Sequence, residues 1–204
     1  MAILRLVGNP VPMYAKKVRI EIPVLDEPVG YDLMVGDWIA PHGKGHKADF
    51  VFTMKSRVSG WKDFETHLVL TFTNAMDGIQ QIMETGPSGS AFELPRTAAE
   101  SAYQVIWTNS IGYVPDKGLF QTQPKDPEGY FFRVRSIVDD QGELPRALYG
   151  KIKGPIQFDG RDSKTGHIAF TYYLNPTPND RNLEFDPKRN LFKNLKSTEQ
   201  VTDP

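Results

Sequence analysis

Apolar and polar residues alternate along several stretches of the chain with a period of two, which predicts β-strands. In residues 18–24, Val or Ile occupies every even position, and Arg19 and Glu21 lie between them. The same alternation marks residues 48–55, 64–72, 130–138 and 167–174. Because successive side chains of a strand point to opposite faces, each stretch would bury one face and expose the other.

Turn-forming residues separate these stretches. The chain has 17 glycines and 16 prolines, and such frequent punctuation is typical of all-β proteins. Residues 48–55 and 64–72 predict one β-hairpin, and residues 148–158 and 167–174 predict a second. Gly154-Pro155 interrupts the stretch 148–158, which indicates a β-bulge or a sheet edge.

Helical signals are confined to residues 95–104, where Thr97 would cap a turn and Glu100 follows three positions later. We therefore expect an all-β fold with at most one short helix. Its predicted form is an antiparallel β-sandwich with a jelly-roll-like or related Greek-key topology. Residues 1–192 are expected to form one domain, and the polar residues 193–204 a frayed C-terminal tail.

Composition and charge exclude several classes of protein. The 24 basic and 25 acidic residues leave a net charge of −1, which argues against nucleic acid as a partner for the whole surface. The chain has no cysteine, so disulfide scaffolds, thiol catalysis and Cys-ligated metals are excluded. No apolar run approaches the roughly 20 residues of a membrane helix. We expect a secreted or cell-envelope protein whose leader is absent from this sequence, with a cytoplasmic protein as the alternative.

Two groups of residues have side chains that could bind a metal. His42 and His46 are four positions apart, but Pro41 and two glycines prevent the helix that would bring them to one face. Oxygen-bearing residues also alternate near the C-terminus, and on an extended segment they would share one face, as calcium ligands require. These residues are Asp180, Asn182, Glu184 and Asp186. Because the EF-hand spacing is absent, we expect a solvated acidic edge, with no metal and no other cofactor.

The alternation also predicts a candidate ligand-binding surface. If the strands 130–138 and 167–174 belong to the same sheet, the residues opposite the core would share one face. Those residues are Phe131, Arg133, Arg135, His167, Thr171 and Tyr173. Aromatic rings stack on sugars, and arginine forks bind hydroxyls or carboxylates. A bulge would reverse the facing, and a loop covering the face would make these residues structural.

These features favour a non-catalytic binding or interaction module, for which the ligand is a glycan or a protein partner and no catalytic residue is assigned. A structural subunit that assembles into homo-oligomers is the first alternative, because Trp61 follows Gly60 at a turn and is expected to be exposed. A polysaccharide hydrolase is the second alternative, and it would need two carboxylates about 5–10 Å apart across a cleft.

Overall fold

The computed structural model describes residues 8–82, 95–123, 127–141, 144–162 and 164–203. Within these ranges the chain forms strands and no helix. The strands are β1 (Val11–Ile22), β2 (Val29–Asp32), β3 (Asp37–Trp38), β4 (Phe50–Gly60), β5 (Asp63–Thr71), β6 (Gly78–Gln81), β7 (Ile106–Val114), β8 (Gly118–Gln121), β9 (Gly129–Ile137), β10 (Arg146–Asp159), β11 (Gly166–Asn175) and β12 (Phe185–Asn190).

The strands make two six-stranded sheets that pack against each other. The first sheet has the order β12-β1-β11-β10-β9-β6, and the second has the order β3-β2-β4-β5-β7-β8. All neighbouring strands are antiparallel except β1 and β12, which are parallel. The predicted antiparallel β-sandwich is therefore confirmed, and so are the β4–β5 and β10–β11 hairpins.

The main core lies between the sheets and follows from the alternation in the sequence. Phe50, Phe52 and Met54, at even positions of β4, are fully buried there. The ring centroid of Phe50 lies 5.1 Å from that of Phe132 in β9, in an edge-to-face arrangement. Since burying one such side chain stabilises the fold by about 1.5–3 kcal/mol, these faces hold the two sheets together.

Residues 95–104, where the sequence allowed one short helix, do not form a helix. Thr97 instead forms an isolated bridge with Asn182, and the N–H of Ala98 donates to the carbonyl of Arg181. Ala102 has a φ of 66°, which ends any helical turn. The backbone hydrogen bonds of this segment therefore go to a distant part of the chain.

A second apolar cluster lies on the outer face of the first sheet, meaning the face turned away from the second sheet. Its buried members are Met13, Ala15, Ile82, Ala98, Phe131, Ala147, Tyr149, Tyr173, Leu183, Phe185 and Val201. The cover comes from three segments, residues 96–98, 181–185 and 199–203. These segments cross only part of the sheet, and no other described segment covers the rest of its outer face.

The C-terminal segment, residues 198–203, packs against the first sheet instead of fraying. The backbone N–H of Lys17 donates to the carbonyl of Glu199 at 2.9 Å. The Lys16 ammonium lies 3.0 Å from the Glu199 carboxylate, and Val201 is 3% exposed. One buried valine and a few polar contacts anchor a segment whose composition suggested a free tail.

None of the described residues belongs to a helix that could span a membrane.

Candidate functional site

Phe131 and Tyr173 lie on the outer face, but the covering segments bury them. Phe131 is 7% exposed and Tyr173 is 0% exposed. The Tyr173 ring packs 5.2 Å from that of Phe185, and its hydroxyl donates to the carbonyl of Asp203 at 3.2 Å. The expectation that these rings form an exposed surface is therefore wrong, because distant segments cover them.

Arg133 also lies on this face, at the edge of the covered region. Its Nε and one terminal nitrogen donate to the carbonyl of Met76 at 2.8 Å and 2.6 Å. The guanidinium carbon lies 4.9 Å from the ring centroid of Tyr103, which is a cation–π contact. Arg133 thus holds the connection after β5 and covers an aromatic ring.

Arg135 points the opposite way from the prediction. Between the pairs Val134–Leu148 and Ile137–Arg146, β9 advances three residues while β10 advances two, so β9 carries a bulge. Arg135 sits in this bulge with a φ of 56°, and its side chain turns toward the second sheet. The prediction for Arg135 is wrong because a bulge reverses which face a side chain occupies.

The Arg135 guanidinium forms hydrogen bonds to two carboxylates on the side of the second sheet. Its Nε donates to Asp49 Oδ1 at 2.7 Å, and one terminal nitrogen donates to Asp32 Oδ1 at 2.9 Å. Asp32 also accepts backbone N–H groups from His46 and Lys47 at 3.0 Å and 3.1 Å. We call Arg135, Asp32 and Asp49 the inter-sheet clamp.

Burial sets the electrostatics of the clamp. It raises the pKa of Asp49 despite the hydrogen bond from Arg135. Burial also acts to raise the pKa of Asp32, but backbone hydrogen bonds and Arg135 outweigh it, and the net shift is downward. Burial opposes the charge of Arg135, yet the two carboxylates raise its pKa overall. Because Arg135 bridges both carboxylates, the clamp is a structural ion network and leaves no free pair for acid–base catalysis.

His167 and Thr171 lie on the part of the outer face that remains open. Strand register places three rows of side chains across β1, β11 and β10. The rows are Lys17–Thr171–Lys153, Arg19–Ala169–Gln157 and Glu21–His167–Asp159. We call these nine residues the open half. Of the six predicted site residues, only His167 and Thr171 belong to it.

A groove of about 580 Å³ crosses the open half. One wall is the C-terminal segment at Thr198 and Glu199, and the other is the stretch of β10 that contains Pro155. The register of β10 against β11 shifts between Lys153 and Gln157, and Gly154 has a φ of 72° there. This is the bulge predicted from Gly154-Pro155, and it raises one side of the groove.

Of the four basic residues that line the groove, two form ion pairs within the described chain and two do not. Lys16 pairs with Glu199, and Lys153 pairs with Asp203. The side chains of Lys17 and Arg19 form no hydrogen bond and no ion pair within the described chain. The same holds for Gln157 and Thr171. The open half therefore offers two positive charges beside neutral donors and acceptors. Lys17 interacts electrostatically with Asp203 without forming an ion pair.

The third row places Glu21 and Asp159 on either side of His167, about two strand spacings or 10 Å apart. The hydrogen bond from Arg161 lowers the pKa of Asp159, and His167 adds to this effect. A general acid of a glycosidase needs a raised pKa. Asp159 is therefore poorly suited to act as the general acid of the hydrolase alternative.

The acidic residues near the C-terminus use their oxygens within the fold. Glu184 accepts the N–H groups of Gly8 and Asn9 at 2.6 Å and 2.9 Å and pairs with Arg96 at 3.2 Å. Asp180 and Asp186 accept the N–H groups of Asn182 and Lys188. Across the described ranges, no three His, Asp or Glu side chains converge as a metal site would require. These oxygens hold segments of the fold in place.

Sequence reasoning missed Lys17, Arg19 and Lys151. Lys151 is 4% exposed, lies between Phe131 and Tyr173, and places its ammonium 4.8 Å from the Tyr173 ring centroid. Burial lowers the pKa of Lys151 to about 8. The alternation of residues 18–24 predicts that the Arg19 side chain points away from the core. Only the pairing of β1 with β11, which no local pattern shows, places it beside Thr171 and His167.

Comparison with protein-family models, curated proteins and solved structures found no match to this chain.

Proposed function

We propose that the protein is a non-catalytic interaction module that binds an acidic ligand in the groove of the open half. The observation that carries this proposal is that the side chains of Lys17 and Arg19 face the groove and form no hydrogen bond or ion pair within the described chain. A volume of about 580 Å³ falls within the range of about 300–1,000 Å³ that is usual for ligand sites. Arginine binds carboxylates through two parallel hydrogen bonds, and lysine adds a point charge.

A protein partner fits this groove better than a neutral glycan. Sugar-binding surfaces commonly present aromatic rings for stacking, but the covering segments bury Phe131 and Tyr173. Among the described residues that line the groove, the only aromatic one is Phe170, which belongs to the core and is 4% exposed. The charged residues of the groove include the cations Lys17 and Arg19, which favour acidic side chains of a partner.

The proposal is tested by titrating the protein with an oligoglutamate peptide in a calorimeter. The variant Lys17→Ala/Arg19→Ala removes both of these cations, and we expect its dissociation constant to rise at least about tenfold, or about 1.4 kcal/mol. The control Lys117→Ala/Arg146→Ala removes the same two charges from exposed positions elsewhere and should bind like the wild type. Equal loss in both variants would contradict a specific groove, because it would reflect overall charge alone.

Self-assembly is a second candidate, favoured by a different observation. Trp61 is 83% exposed and Leu119 is 73% exposed, and the exposure expected for Trp61 is confirmed. Trp61 and Leu119 line two recesses that share Phe64 and Arg161, so both lie at one end of the sandwich. Light scattering after gel filtration should show concentration-dependent oligomers that Trp61→Ser/Leu119→Ser abolishes. A monomer at every concentration would remove this candidate.

A further inference from the structure

One edge of β1 pairs with a neighbouring strand only along the first part of its length. The odd-numbered residues of β1 turn their backbone groups away from β11. Val11 donates to the carbonyl of Glu184 at 3.0 Å, and Met13 accepts from the N–H of Leu191 at 2.8 Å. The pairing of β12 with β1 covers only Val11 and Met13, so β12 leaves the rest of this edge unpaired.

Isolated contacts continue along the same edge beyond β12. The Asn190 amide bonds both backbone groups of Ala15, and the N–H of Lys17 donates to Glu199. At the far end, the indole N–H of Trp38 donates to the carbonyl of Glu21 at 3.0 Å. Between these contacts, the carbonyl of Lys17, both backbone groups of Arg19 and the N–H of Glu21 have no partner in the described chain.

This free edge also borders the groove. Lys16, Val18 and Ile20 line the groove together with Lys17 and Arg19. Because these residues alternate between the two faces of β1, the groove follows the edge of the strand as well as its outer face. A ligand in the groove would therefore meet unpaired backbone groups and the cationic side chains of Lys17 and Arg19 at the same place.

The C-terminal segment shows which chemistry this edge accepts. At a single residue, Glu199 supplies a carbonyl to the N–H of Lys17 and a carboxylate to the ammonium of Lys16. An extended chain that continued from this point would reach Arg19 next. It would meet the same combination there, a backbone edge with a cationic side chain.

We propose that the edge of β1 from Lys17 to Glu21 binds an extended acidic segment of a partner protein by strand addition. This inference rests on the proposed function and names its partner. Residues opposite each other on neighbouring strands share a face, so partner residues opposite Lys17 and Arg19 point outward and would be acidic. The residues between them face Val18 and Ile20 and would be apolar. Main-chain hydrogen bonds then supply affinity, and the alternating side chains supply specificity.

The test uses a peptide of about seven residues in which Glu and Val alternate, long enough to span this edge at about 3.3 Å per residue. Two further peptides carry N-methyl groups, one on every Glu and one on every Val. An antiparallel added strand would bond Arg19 through the outward-facing residue opposite it, and a parallel strand through the residues on either side. We expect one N-methylated peptide to lose binding at least about tenfold while the other binds like the parent.

A pair of variants provides an independent measurement. Arg19→Ala removes the side chain, and Arg19→Pro also removes the N–H, which has no partner to lose in the described chain. Proline is tolerated where an edge N–H faces away from the sheet, and melting curves of both variants check their folding. We expect Arg19→Pro to bind the parent peptide about fivefold more weakly than Arg19→Ala, the worth of about one net hydrogen bond.

The outcomes separate the two proposals. Equal binding of both N-methylated peptides, with binding still dependent on Lys17 and Arg19, would overturn strand addition and keep the acidic-ligand groove. No binding of any acidic peptide to the wild type would overturn both proposals. A dimer without peptide that dissociates when the parent peptide is added would show that a second copy occupies the edge, which would overturn a separate partner protein.

Discussion

Arg135 on β9 joins the two sheets. Its Nε donates a 2.7 Å hydrogen bond to Oδ1 of Asp49, the residue that directly precedes β4 in the opposite sheet. Removing this guanidinium would leave Asp32 and Asp49 buried without a countercharge. We expect Arg135→Leu to lower the free energy of unfolding by about 3–5 kcal/mol, the usual cost of breaking a buried ion pair. Urea denaturation measures this loss. Arg146→Leu, at an exposed position, should stay within about 0.5 kcal/mol of the wild type.

Tyr173 should behave as a core residue. Because it is fully buried against Phe185, Tyr173→Ala should cost about 3–5 kcal/mol of stability. Tyr173→Phe removes only the hydrogen bond to Asp203 and should cost about 1 kcal/mol. Thermal or urea unfolding distinguishes the two. A small loss for Tyr173→Ala would mean that the C-terminal segment does not cover this ring in solution.

Lys151 makes stability depend on pH in the alkaline range. Burial lowers its pKa to about 8 in the folded protein, whereas an unfolded lysine has a pKa of about 10.4. Between these two values the unfolded state binds more protons, so the contribution of Lys151 to stability rises with pH. Below pH 8 both states are protonated, and the full penalty for burying the charge is present.

Replacing this lysine therefore has a predicted sign. Lys151→Met should be more stable than the wild type at pH 7, by a few kcal/mol at most. This advantage should shrink as the pH rises from about 8 toward 10. Urea unfolding of both proteins at several pH values measures the difference. A constant difference across this range would show that Lys151 is not buried as a charge.

The C-terminal carboxylates should compete with an acidic ligand. Glu199 and Asp203 occupy Lys16 and Lys153, two of the basic residues that line the groove. We expect Glu199→Gln/Asp203→Asn to bind oligoglutamate about three- to tenfold more tightly, since two ammonium groups become free. Calorimetry checks this, with Asp116→Asn/Asp186→Asn as a control for net charge. Unchanged affinity would mean that Lys16 and Lys153 do not reach the ligand.

The sequence predicts the parts of this structure that depend on local patterns. Alternation located β4, β5, β9 and β11, and Gly154-Pro155 indicated the bulge in β10. The bulge at Arg135 carries no glycine or proline to announce it, so the facing of that residue could not be predicted. Arg135 has a φ of 56°, and its backbone N–H donates to Oδ2 of Asp77, which stabilises this conformation.

The candidate surface was harder to predict than the fold, because burial on the outer face depends on segments far away in sequence. Ala98, Leu183 and Val201 cover Phe131 and Tyr173, and no pattern within β9 or β11 reveals this. Lys17 and Arg19 were missed for the same reason, because only the pairing of β1 with β11 places them beside Thr171 and His167. The face of the sheet to which a side chain points can be predicted from one strand. Whether that side chain is exposed depends on how all the strands and segments are arranged.

The most direct test is an NMR titration of ¹⁵N-labelled protein with oligoglutamate, followed through its backbone amide signals. The groove account predicts that the largest shifts fall on Lys17, Arg19 and Thr171, with smaller shifts at Gln157. Amides of the β7–β8 hairpin, such as Lys117, should not move. Shifts spread over all basic surface residues, or centred away from β1 and β11, would contradict the claim that this groove is the binding site.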